Sequence, residues 1–511
     1  MELPERQQGA TEISEQKSGL HVGAADPTHV ADANALVRLV AVQAFSRAAG
    51  APLVPGNSVR LLKNGEENYP AWLEAIHSAS HTIHFETYML HADHVGREFG
   101  EALSEKARQG VKVRVIYDWL GARGLVWFGF WRKLRRAGVE VRCFNPPRVD
   151  DPLEALRRDH RKAITIDGRV GFVSGLCVGQ SWLGNPGRGR EPWRDTGVQI
   201  EGPAVLHLEK AFQQTWSSAG RSPDVEIGTS EEWRGTLPGE VSLRIVPSEP
   251  SQASLYRLDQ LVAAIARKSI WLTDAYFLGT PSYVQSLRAA AYDGVDVRLL
   301  VPRTSDVPIV RALSRVGYRT LLEAGVRIFE WNGSMLHAKT SVADGRWARV
   351  GSTNLNLASW ISNYELDVVV EDEPFARQME EMYLADLEHS TEIVLSEGVK
   401  VRPAERRSRQ ERPRGSARGS AGRAATGVFT IGSTVRAALV SPSLLGPPEA
   451  PLMIAFAVLL LGLIALAVFV PRAISYAIAI VCGWATIVLV IKAARLRFPR
   501  KDRRGPPREG P

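Results

Sequence analysis

Two short segments of the sequence repeat the pattern H-x-K-x4-D. Its members are, in chain order, His160, Lys162, Asp167, His337, Lys339 and Asp344. Side chains two residues apart on a strand point to the same side, so each histidine is expected to lie beside its lysine. A single triple would be weak evidence in a chain of 511 residues. Two copies indicate a composite site that takes one histidine and one lysine from each segment.

These side chains are suited to reactions of a phosphodiester that need no metal ion. The substrate is an anion that repels nucleophiles, and two lysines can neutralise the charge on its non-bridging oxygens. A neutral histidine can attack phosphorus and form a covalent phosphohistidine. A second, protonated histidine can donate its proton to the leaving alkoxide and then act as base for the incoming hydroxyl. We therefore predict a two-histidine phosphodiester enzyme without a cofactor.

Small polar and acidic residues follow each histidine motif and are further candidates for the site. They are Ser174, Asp195, Ser352, Asn354 and Glu365. Hydroxyl and amide groups can hydrogen-bond phosphate oxygens, whereas the two carboxylates can orient a histidine ring through one of its nitrogens. Asp167 and Asp344 each precede a glycine at a predicted turn, so for them turn formation or ion pairing is an alternative to direct chemistry. Structural roles are assigned to His77, His81, His84, His91, His94 and His207.

The candidate site residues lie within a pattern of apolar strands separated by helical stretches. The strand candidates are Thr82–Tyr88, Val111–Tyr117, Val139–Phe144, Ala163–Ile166, Val170–Ser174, Ile270–Asp274, Val295–Val301, Val326–Glu330, Thr340–Ala343 and Ala348–Gly351. Strands that alternate with helices predict an α/β fold.

This part of the chain also repeats itself in order. IHFETY from Ile83 is echoed by WLTDAY from Trp271, GVKVRVIYD by GVDVRLLVP, and HRKAITIDG by HAKTSVADG, at offsets of 188, 184 and 177 residues. Three echoes in register indicate that one domain has been duplicated. We place the first half at residues 32–225 and the second at 240–396, after a disordered lead of residues 1–31.

The C-terminal region has a different composition and predicts a membrane anchor. Residues 397–447 read as a flexible basic linker, with eight arginines between Arg402 and Arg423. Pro451–Val470 and Ala473–Ile491 are uncharged and long enough to cross a membrane as two helices, with a buried soluble helical pair as the alternative. A basic tail, residues 492–511, follows. Basic flanks on both sides of the pair predict that the flanks and the catalytic body face the cytoplasm of a cell membrane.

Charge and cysteine content narrow the functional classes. Residues 401–511 contain 18 Lys and Arg and five Asp and Glu, so residues 1–400 carry a net charge of −5 within a total of +8. An acidic body argues against a nucleic-acid partner. The three cysteines are far apart and argue against a zinc site or a disulfide framework. The N-terminal segment is polar, so no signal peptide is predicted.

The sequence resembles the phospholipase D superfamily and, within it, the cardiolipin synthase branch. The resemblance covers roughly Leu36 to Ser396 and rests on the twin histidine motifs and on the segments IHFETYML, WRDTGVQIEGPAV, DAYFLGTP and MLHAKTSVADGRWARVGSTNLN. It implies a bilobal α/β/α sandwich with one active site between the halves. It implies that His160 is the nucleophile, that His337 is the general acid and base, and that phosphate is bound by Lys162, Lys339 and Asn354.

The chain departs from the usual family pattern at several positions. Cys177 stands where the family usually has Asn, and Asn356 and Ala358 stand where the branch often has Asp and Arg. The predicted anchor is C-terminal, whereas many bacterial members carry N-terminal membrane helices. These departures leave the reaction class intact and bear on the particular lipid.

The resemblance implies an enzyme that converts two phosphatidylglycerol molecules into cardiolipin and glycerol. A hydrolytic phospholipase D is an alternative, in which water takes the phosphatidyl group. A nuclease of the same superfamily and a non-catalytic membrane scaffold are further alternatives. The acidic body argues against the first of these, and the two intact histidine–lysine pairs argue against the second.

Overall fold

A mixed sheet of 16 strands organises the protein. In the computed structural model, the described residues are 40–122, 129–146, 157–220, 237–250, 252–396 and 400–403, with single positions at 461, 483, 484 and 486. The chain divides into two units, Met1–Phe45 and Ser46–Pro511. The described residues of the first unit, 40–45, are helical. All elements named below belong to the second unit.

Helices alternate with many of the strands along the chain. The strands are β1 (Val54–Lys63), β2 (Thr82–Thr87), β3 (Lys112–Asp118), β4 (Glu140–Phe144), β5 (Ala163–Ile166), β6 (Val170–Ser174), β7 (Thr196–Glu201), β8 (Val241–Ser248), β9 (Ser269–Thr273), β10 (Asp296–Pro302), β11 (Arg327–Trp331), β12 (Thr340–Ala343), β13 (Trp347–Gly351), β14 (Glu365–Glu371), β15 (Ser390–Ser396) and β16 (Lys400–Pro403). The α-helices named here are α1 (Asn64–Ser78), α2 (His94–Arg108), α3 (Phe130–Arg136), α4 (Val205–Ser218), α5 (Ser254–Ile265), α6 (Pro281–Tyr292), α7 (Pro308–Leu322), α8 (Leu357–Ile361) and α9 (Glu373–Glu388).

The strand order is nearly symmetric about the middle of the sheet. It reads β16-β15-β11-β10-β9-β12-β13-β14-β8-β1-β7-β6-β5-β2-β3-β4. Outward from the antiparallel β1–β8 pair, each half follows the same sequence of parallel and antiparallel neighbours, and β15 and β16 extend one edge. The mixed α/β class with a large sheet is confirmed. The symmetry matters for function because it brings equivalent strand ends of the two halves to the same place.

All ten strands predicted from the sequence are confirmed, with each end displaced by no more than one residue. The sequence analysis missed β1, β7, β8, β14, β15 and β16. Four of these six lie together at the centre of the sheet. β1 contains Pro55 and Gly56, which are residue types typical of loops. At these residues the register of the β1–β8 pair shifts, between Val54 and Asn57. An irregular strand of this kind lacks the alternating pattern by which strands are recognised.

Alternate residues along the strands pack into different cores, because successive side chains point to opposite faces of a sheet. In β5, Ala163 packs in a core with Val205 and Leu208 of α4, whereas Ile164 packs in a core with Trp72 of α1 and Phe99 of α2. The first of these cores also contains residues of α9 and of inner strands from both halves. Helices α5–α7 cover the corresponding face of the second half through a third core.

The predicted C-terminal anchor falls almost wholly outside the described residues. Among the residues that the structure describes, no helix has both the length and the apolar composition needed to cross a membrane. The predicted lead and tail, residues 1–31 and 492–511, also lie outside the described ranges. One part of the predicted linker is corrected, because Lys400–Pro403 form strand β16 and pair with β15. This pairing extends the edge of the sheet beyond residue 396.

Candidate active site

Each histidine motif begins immediately before a strand, at the equivalent point of each half. His160 precedes β5, and its backbone N–H donates to the carbonyl of Tyr364 at 2.9 Å, just before β14 of the other half. His337 precedes β12, and its N–H donates to the carbonyl of Arg194 at 2.7 Å, close to the start of β7. Each histidine segment is therefore attached to the opposite half, and the two motifs meet at the junction of the halves.

Each histidine is hydrogen-bonded to a carboxylate supplied by the other half. The Nδ1 atom of His160 lies 2.8 Å from Oε2 of Glu365, and Nδ1 of His337 lies 2.7 Å from Oδ2 of Asp195. An ionised carboxylate only accepts hydrogen bonds, so this contact assigns the ring proton to Nδ1 and leaves Nε2 as the atom available for chemistry. The structure thus brings these four predicted residues together as two pairs, and each pair joins a histidine of one half to a carboxylate of the other.

The carboxylate of Glu365 accepts hydrogen bonds on both oxygens. The hydroxyl of Ser352 donates to Oε2 at 2.6 Å, and the side-chain amide of Asn363 donates to Oε1 at 3.2 Å. Burial by itself raises the pKa of Glu365, but His160, Lys162 and the hydrogen bond from Ser352 outweigh it and lower the pKa below its ordinary value. Glu365 is accordingly ionised at neutral pH and holds the His160 ring in one orientation.

The carboxylate of Asp195 is held in a similar way by different donors. The indole N–H of Trp182 donates to Oδ2 at 2.9 Å, and the backbone N–H of Thr196 donates to Oδ1 at 2.9 Å. Burial opposes ionisation, but the interaction with His337 outweighs it and lowers the pKa of Asp195. The second histidine is therefore also paired with an ionised carboxylate.

Both histidines are neutral at neutral pH in the unliganded site. Burial lowers the pKa of His160, with Glu365 opposing this effect and Lys162 adding to it. Burial and the neighbouring Lys339 lower the pKa of His337 to about 4. The side chain of His337 is 3% exposed, against 12% for His160. The charge of each lysine acts on the histidine of the other motif as well, which shows that the two motifs share one site.

The two motif lysines are buried beside the histidines and lie over aromatic rings. Lys162 and Lys339 each donate a hydrogen bond to the backbone carbonyl of the histidine in their own motif. Their ammonium nitrogens lie 5.3 Å from the ring centre of Tyr88 and 5.8 Å from that of Tyr276, respectively. Burial lowers the pKa of Lys339 to about 8, which still leaves it mostly protonated at pH 7. Both are positioned as fixed cations for an anionic group.

The structure does not bring Asp167 to the histidines, although it belongs to the catalytic set predicted from the sequence. It follows the far end of β5 and has a positive φ of 52°. Its carboxylate accepts the backbone N–H groups of Ser80, His81 and Thr82 at 2.8, 2.8 and 2.7 Å. These contacts fix the turn before β2, so the structural alternative describes Asp167.

Asp344 repeats this arrangement in the second half and is likewise not brought to the histidines. Its φ is 53°, and its carboxylate accepts the backbone N–H groups of Arg267, Lys268 and Ser269. The closest of these contacts, from Lys268, is 2.7 Å long. The aspartate of each motif therefore ties the end of one strand to the start of its neighbour.

Replacing Asp167 with asparagine is expected to reduce stability and leave catalysis nearly unchanged. Asparagine tolerates a positive φ, but its amide has one acceptor oxygen, so its NH2 group faces an N–H group that is now unpaired. We expect the free energy of unfolding to fall by about 2 kcal/mol and kcat to stay within about threefold. Urea unfolding and steady-state kinetics at 25 °C would measure the two effects. A loss of kcat of a hundredfold or more in fully folded protein would restore a catalytic role for Asp167.

The remaining predicted phosphate contacts differ between the halves. The side chain of Asn354 is buried, and its amide oxygen has no hydrogen-bond partner among the described residues. Cys177 occupies the equivalent position of the first half, and burial raises the pKa of its thiol, so it stays protonated. The hydroxyl of Ser174 donates to the carbonyl of Leu176 at 3.3 Å and does not contact either catalytic carboxylate. Of these two equivalent positions, the one in the second half therefore carries an amide group and the one in the first half a thiol.

Aromatic residues enclose the histidines, and the sequence analysis did not identify them as part of the site. The ring of Tyr88 lies 5.1 Å from that of His160. The rings of Trp182, Trp193 and Tyr276 lie 5.7, 5.6 and 5.9 Å from that of His337. Tyr88 and Tyr276 end the repeated segments IHFETY and WLTDAY, so the repeat carried a signal for them. Trp182 lies between the recognised motifs and had no such signal.

The fold and this paired-histidine site define a phospholipase D-like protein. The structure is similar to that of phosphatidylserine synthase from Haemophilus influenzae Rd KW20, with a TM-score of 0.55 and 15% sequence identity over 68% of this chain and 91% of that one. At this identity the likeness shows the fold alone.

The sequence comparisons identify the family. The family model described as "Cardiolipin synthase, PLD-like domain" matches residues 72–216 and 261–387, once in each half. Cardiolipin synthase A of Pseudomonas fluorescens (strain SBW25) is 34% identical over 354 residues, which cover 69% of this chain and 73% of the relative. A cardiolipin synthase of Alkalihalophilus pseudofirmus is 32% identical over 348 residues, which cover 68% and 69%. The chain belongs to the cardiolipin synthase family of phospholipid phosphatidyltransferases.

Proposed function

We propose that the protein transfers a phosphatidyl group from one phosphatidylglycerol to another through a phosphohistidine on His160, releasing glycerol. The observation that carries the proposal is the pair of histidines, each fixed through Nδ1 by a carboxylate of the other half. This arrangement leaves the Nε2 atom of each histidine to react with the same phosphodiester. One histidine can bond to phosphorus while the other moves a proton, as a two-step transfer requires.

In the first step, Nε2 of neutral His160 attacks phosphorus of the donor lipid. A nitrogen–phosphorus bond forms, the bond from phosphorus to the glycerol oxygen breaks, and that oxygen takes a proton from His337. Lys162, Lys339 and the amide of Asn354 neutralise and bind the non-bridging oxygens. Glu365 stabilises the positive charge that develops on the His160 ring, since its carboxylate faces the Nδ1–H group.

In the second step, His337 is neutral and accepts the proton of the acceptor hydroxyl. The acceptor oxygen attacks phosphorus, and the bond from phosphorus to Nε2 of His160 breaks. The site returns to the protonation state of the donor complex, with His160 neutral and His337 protonated, and the proton on His337 is lost again when the product leaves. A hydroxyl of a second phosphatidylglycerol as acceptor yields cardiolipin, whereas water yields phosphatidic acid.

The first step requires a proton on His337, and the unliganded site does not hold one at neutral pH. With its pKa at about 4, His337 gains a proton only when an anionic phosphodiester binds and raises that pKa. Binding between pH 5 and 7 is therefore expected to take up a proton, and affinity is expected to rise as the pH falls. Calorimetry of short-chain phosphatidylglycerol binding to His160→Ala, in buffers of different ionisation enthalpy, would measure this uptake without turnover.

The matched control is the double variant His160→Ala, His337→Gln, which has no group to protonate at position 337. Proton uptake should disappear in this variant. Equal uptake in both proteins would show that another group takes the proton and would contradict the proposed role of His337.

We also propose that Pro451–Val470 and Ala473–Ile491 anchor the enzyme in the cell membrane with the catalytic halves on the cytoplasmic side. The support comes from the sequence: two long uncharged apolar runs, with basic segments on both flanks. An anchor of this kind would hold the site beside lipids of the same bilayer. The two halves, residues 32–225 and 240–396, would act as one catalytic body joined to it by the basic linker.

The function is tested by mass spectrometry of lipids after incubation of the purified full-length protein with phosphatidylglycerol vesicles. Cardiolipin and free glycerol in equal amounts are the expected products. Phosphatidic acid as the sole product would make the enzyme a hydrolase, and no lipid product from a folded protein would contradict the proposed donor.

A further inference from the structure

The two carboxylates that bind the histidines differ in the donor that shares the histidine-bound oxygen. Glu365 receives a hydrogen bond from the hydroxyl of Ser352, which lies fifteen residues after His337. The residue fifteen positions after His160 is Gly175, which has no side chain to donate. The backbone contacts confirm the equivalence, because the N–H groups of Gly175 and Ser352 each donate at 3.0 Å to the residue that follows a catalytic carboxylate.

A serine at position 175 is incompatible with this arrangement. A Cβ atom on Gly175 would lie 2.2 Å from Oδ1 of Asp195, well inside any normal contact distance. The aspartate is one methylene shorter than Glu365, and its carboxylate occupies the space directly over residue 175. A donor for this carboxylate has to come from a different part of the chain.

Trp182 supplies that donor from the short helical segment Gln180–Trp182. Its indole N–H donates at 2.9 Å to Oδ2 of Asp195, the same oxygen that binds His337. The indole is fully buried, and its ring lies 5.7 Å from the His337 ring at an interplanar angle of 84°. The segment is itself held in place, because the N–H of Gln180 donates to the carboxylate of Asp93 at 2.7 Å.

We propose that Trp182 is a positioning residue for the general acid His337 and takes the part that Ser352 has for His160. The indole N–H can only donate, so it fixes Oδ2 of Asp195 as an acceptor for the Nδ1–H group of His337. The same indole packs against the imidazole in a near-perpendicular arrangement and limits its rotation. Trp182 thus acts on both members of the Asp195–His337 pair, whereas Ser352 acts on the carboxylate of the other pair.

The inference rests on the proposed function, because it assigns proton transfer to His337 and nucleophilic attack to His160. The two roles respond differently to the leaving group. Glycerol leaves as an alkoxide and needs a proton from the enzyme, whereas p-nitrophenol leaves readily as an anion. A defect in positioning His337 should slow the release of glycerol and spare that of p-nitrophenol. A defect in positioning His160 should slow both releases by the same factor.

The experiment compares single-turnover rates of the full-length enzyme with phosphatidylglycerol and phosphatidyl-p-nitrophenol in mixed micelles. For Trp182→Phe we expect about a tenfold or greater loss with phosphatidylglycerol, the effect of one hydrogen bond, and less than threefold with phosphatidyl-p-nitrophenol. For the matched variant Ser352→Ala we expect equal losses with the two substrates. Leaving-group discrimination is the ratio of the rate loss with phosphatidylglycerol to the loss with phosphatidyl-p-nitrophenol. His337→Ala removes the general acid and so gives the largest value that this ratio can reach.

A second replacement separates the hydrogen bond from the packing of a large buried ring. Benzothienylalanine at position 182 keeps the shape of the indole and removes only the N–H group, so it should reproduce the discrimination of Trp182→Phe without the cavity that the smaller ring leaves. Equal losses on both substrates for the two position-182 replacements would overturn the inference and leave Trp182 as a packing residue. If His337→Ala itself shows no discrimination, the proposed role of His337 fails, and the inference fails with it.

Discussion

Replacing His160 with alanine is expected to lower phosphatidyl transfer by about 10⁴-fold or more, to the background of the assay. In the proposed mechanism, the Nε2 atom of His160 forms the bond to phosphorus. His337 has the separate role of proton transfer in that mechanism and is enclosed by three aromatic rings, so it is not expected to replace His160. Lipid binding should survive, because Lys162, Lys339 and Asn354 remain in the site. Production of cardiolipin from phosphatidylglycerol vesicles, followed by mass spectrometry, measures the effect.

The matched control is His94→Ala, which removes an exposed histidine at the start of α2. Its activity should equal that of the unmodified enzyme. A transfer rate within a hundredfold of normal in folded His160→Ala would contradict the nucleophilic role of His160. A trapped phosphoenzyme on His160, seen by mass spectrometry of rapidly quenched protein and lost in the variant, would give independent support.

Replacing Glu365 with glutamine is expected to lower kcat by about 10³-fold. When Nε2 of His160 bonds to phosphorus, the ring becomes positively charged and its Nδ1–H group faces Oε2 of Glu365 at 2.8 Å. The pair is buried, and removal of one member of a buried ion pair costs about 3–5 kcal/mol, which corresponds to a rate loss of this size. The amide can still accept one hydrogen bond, so the ring stays in place and the loss reports the charge. Steady-state kinetics with phosphatidylglycerol measures it.

The matched control for this variant is Glu381→Gln on the exposed side of α9, which removes the same charge far from any described contact of the histidines. It should leave kcat within about twofold, as expected for an exposed charge. A loss of less than tenfold in Glu365→Gln would show that Glu365 orients the ring without stabilising its charge. The mechanism would then need another source of stabilisation for the phosphohistidine.

Local sequence patterns determined much of the fold. The ten predicted strands have clear apolar runs bounded by turn residues, and such runs reflect interactions between residues that are near one another in the chain. The central strands β1, β7, β8 and β14 were missed, although they join the two halves. Their formation depends on pairing with segments far away in the sequence. In β1 the proline and glycine are tolerated because the register shifts at that point.

Residue types and spacing also determined the class of chemistry. Two histidines and two lysines in repeated motifs are sufficient to predict a phosphodiester reaction with a nitrogen nucleophile and fixed cations. Asp167 and Asp344 are part of the same motifs, and the sequence analysis therefore included them in the catalytic set. Motif spacing does not distinguish a catalytic carboxylate from one that binds three backbone N–H groups at a turn. That distinction depends on the direction of the side chain at a positive φ, which a motif does not encode.

Only the tertiary structure decided which carboxylate serves which histidine. Asp195 lies closer in the chain to His160 than to His337, but it binds His337, 142 residues away, and Glu365 binds His160 across 205 residues. The crossing arises because the backbone N–H of each histidine is hydrogen-bonded to a carbonyl just before a strand of the other half. The proposed role of Trp182 also depends on tertiary structure. Its hydrogen bond to Asp195 takes the place of the one that Ser352 gives to Glu365, because the first half has a glycine at the equivalent position. The sequence by itself therefore determined the candidate reacting groups and the strands beside which they lie. Long-range packing between the halves determined their partners, because contacts across a duplicated fold leave no pattern in local spacing.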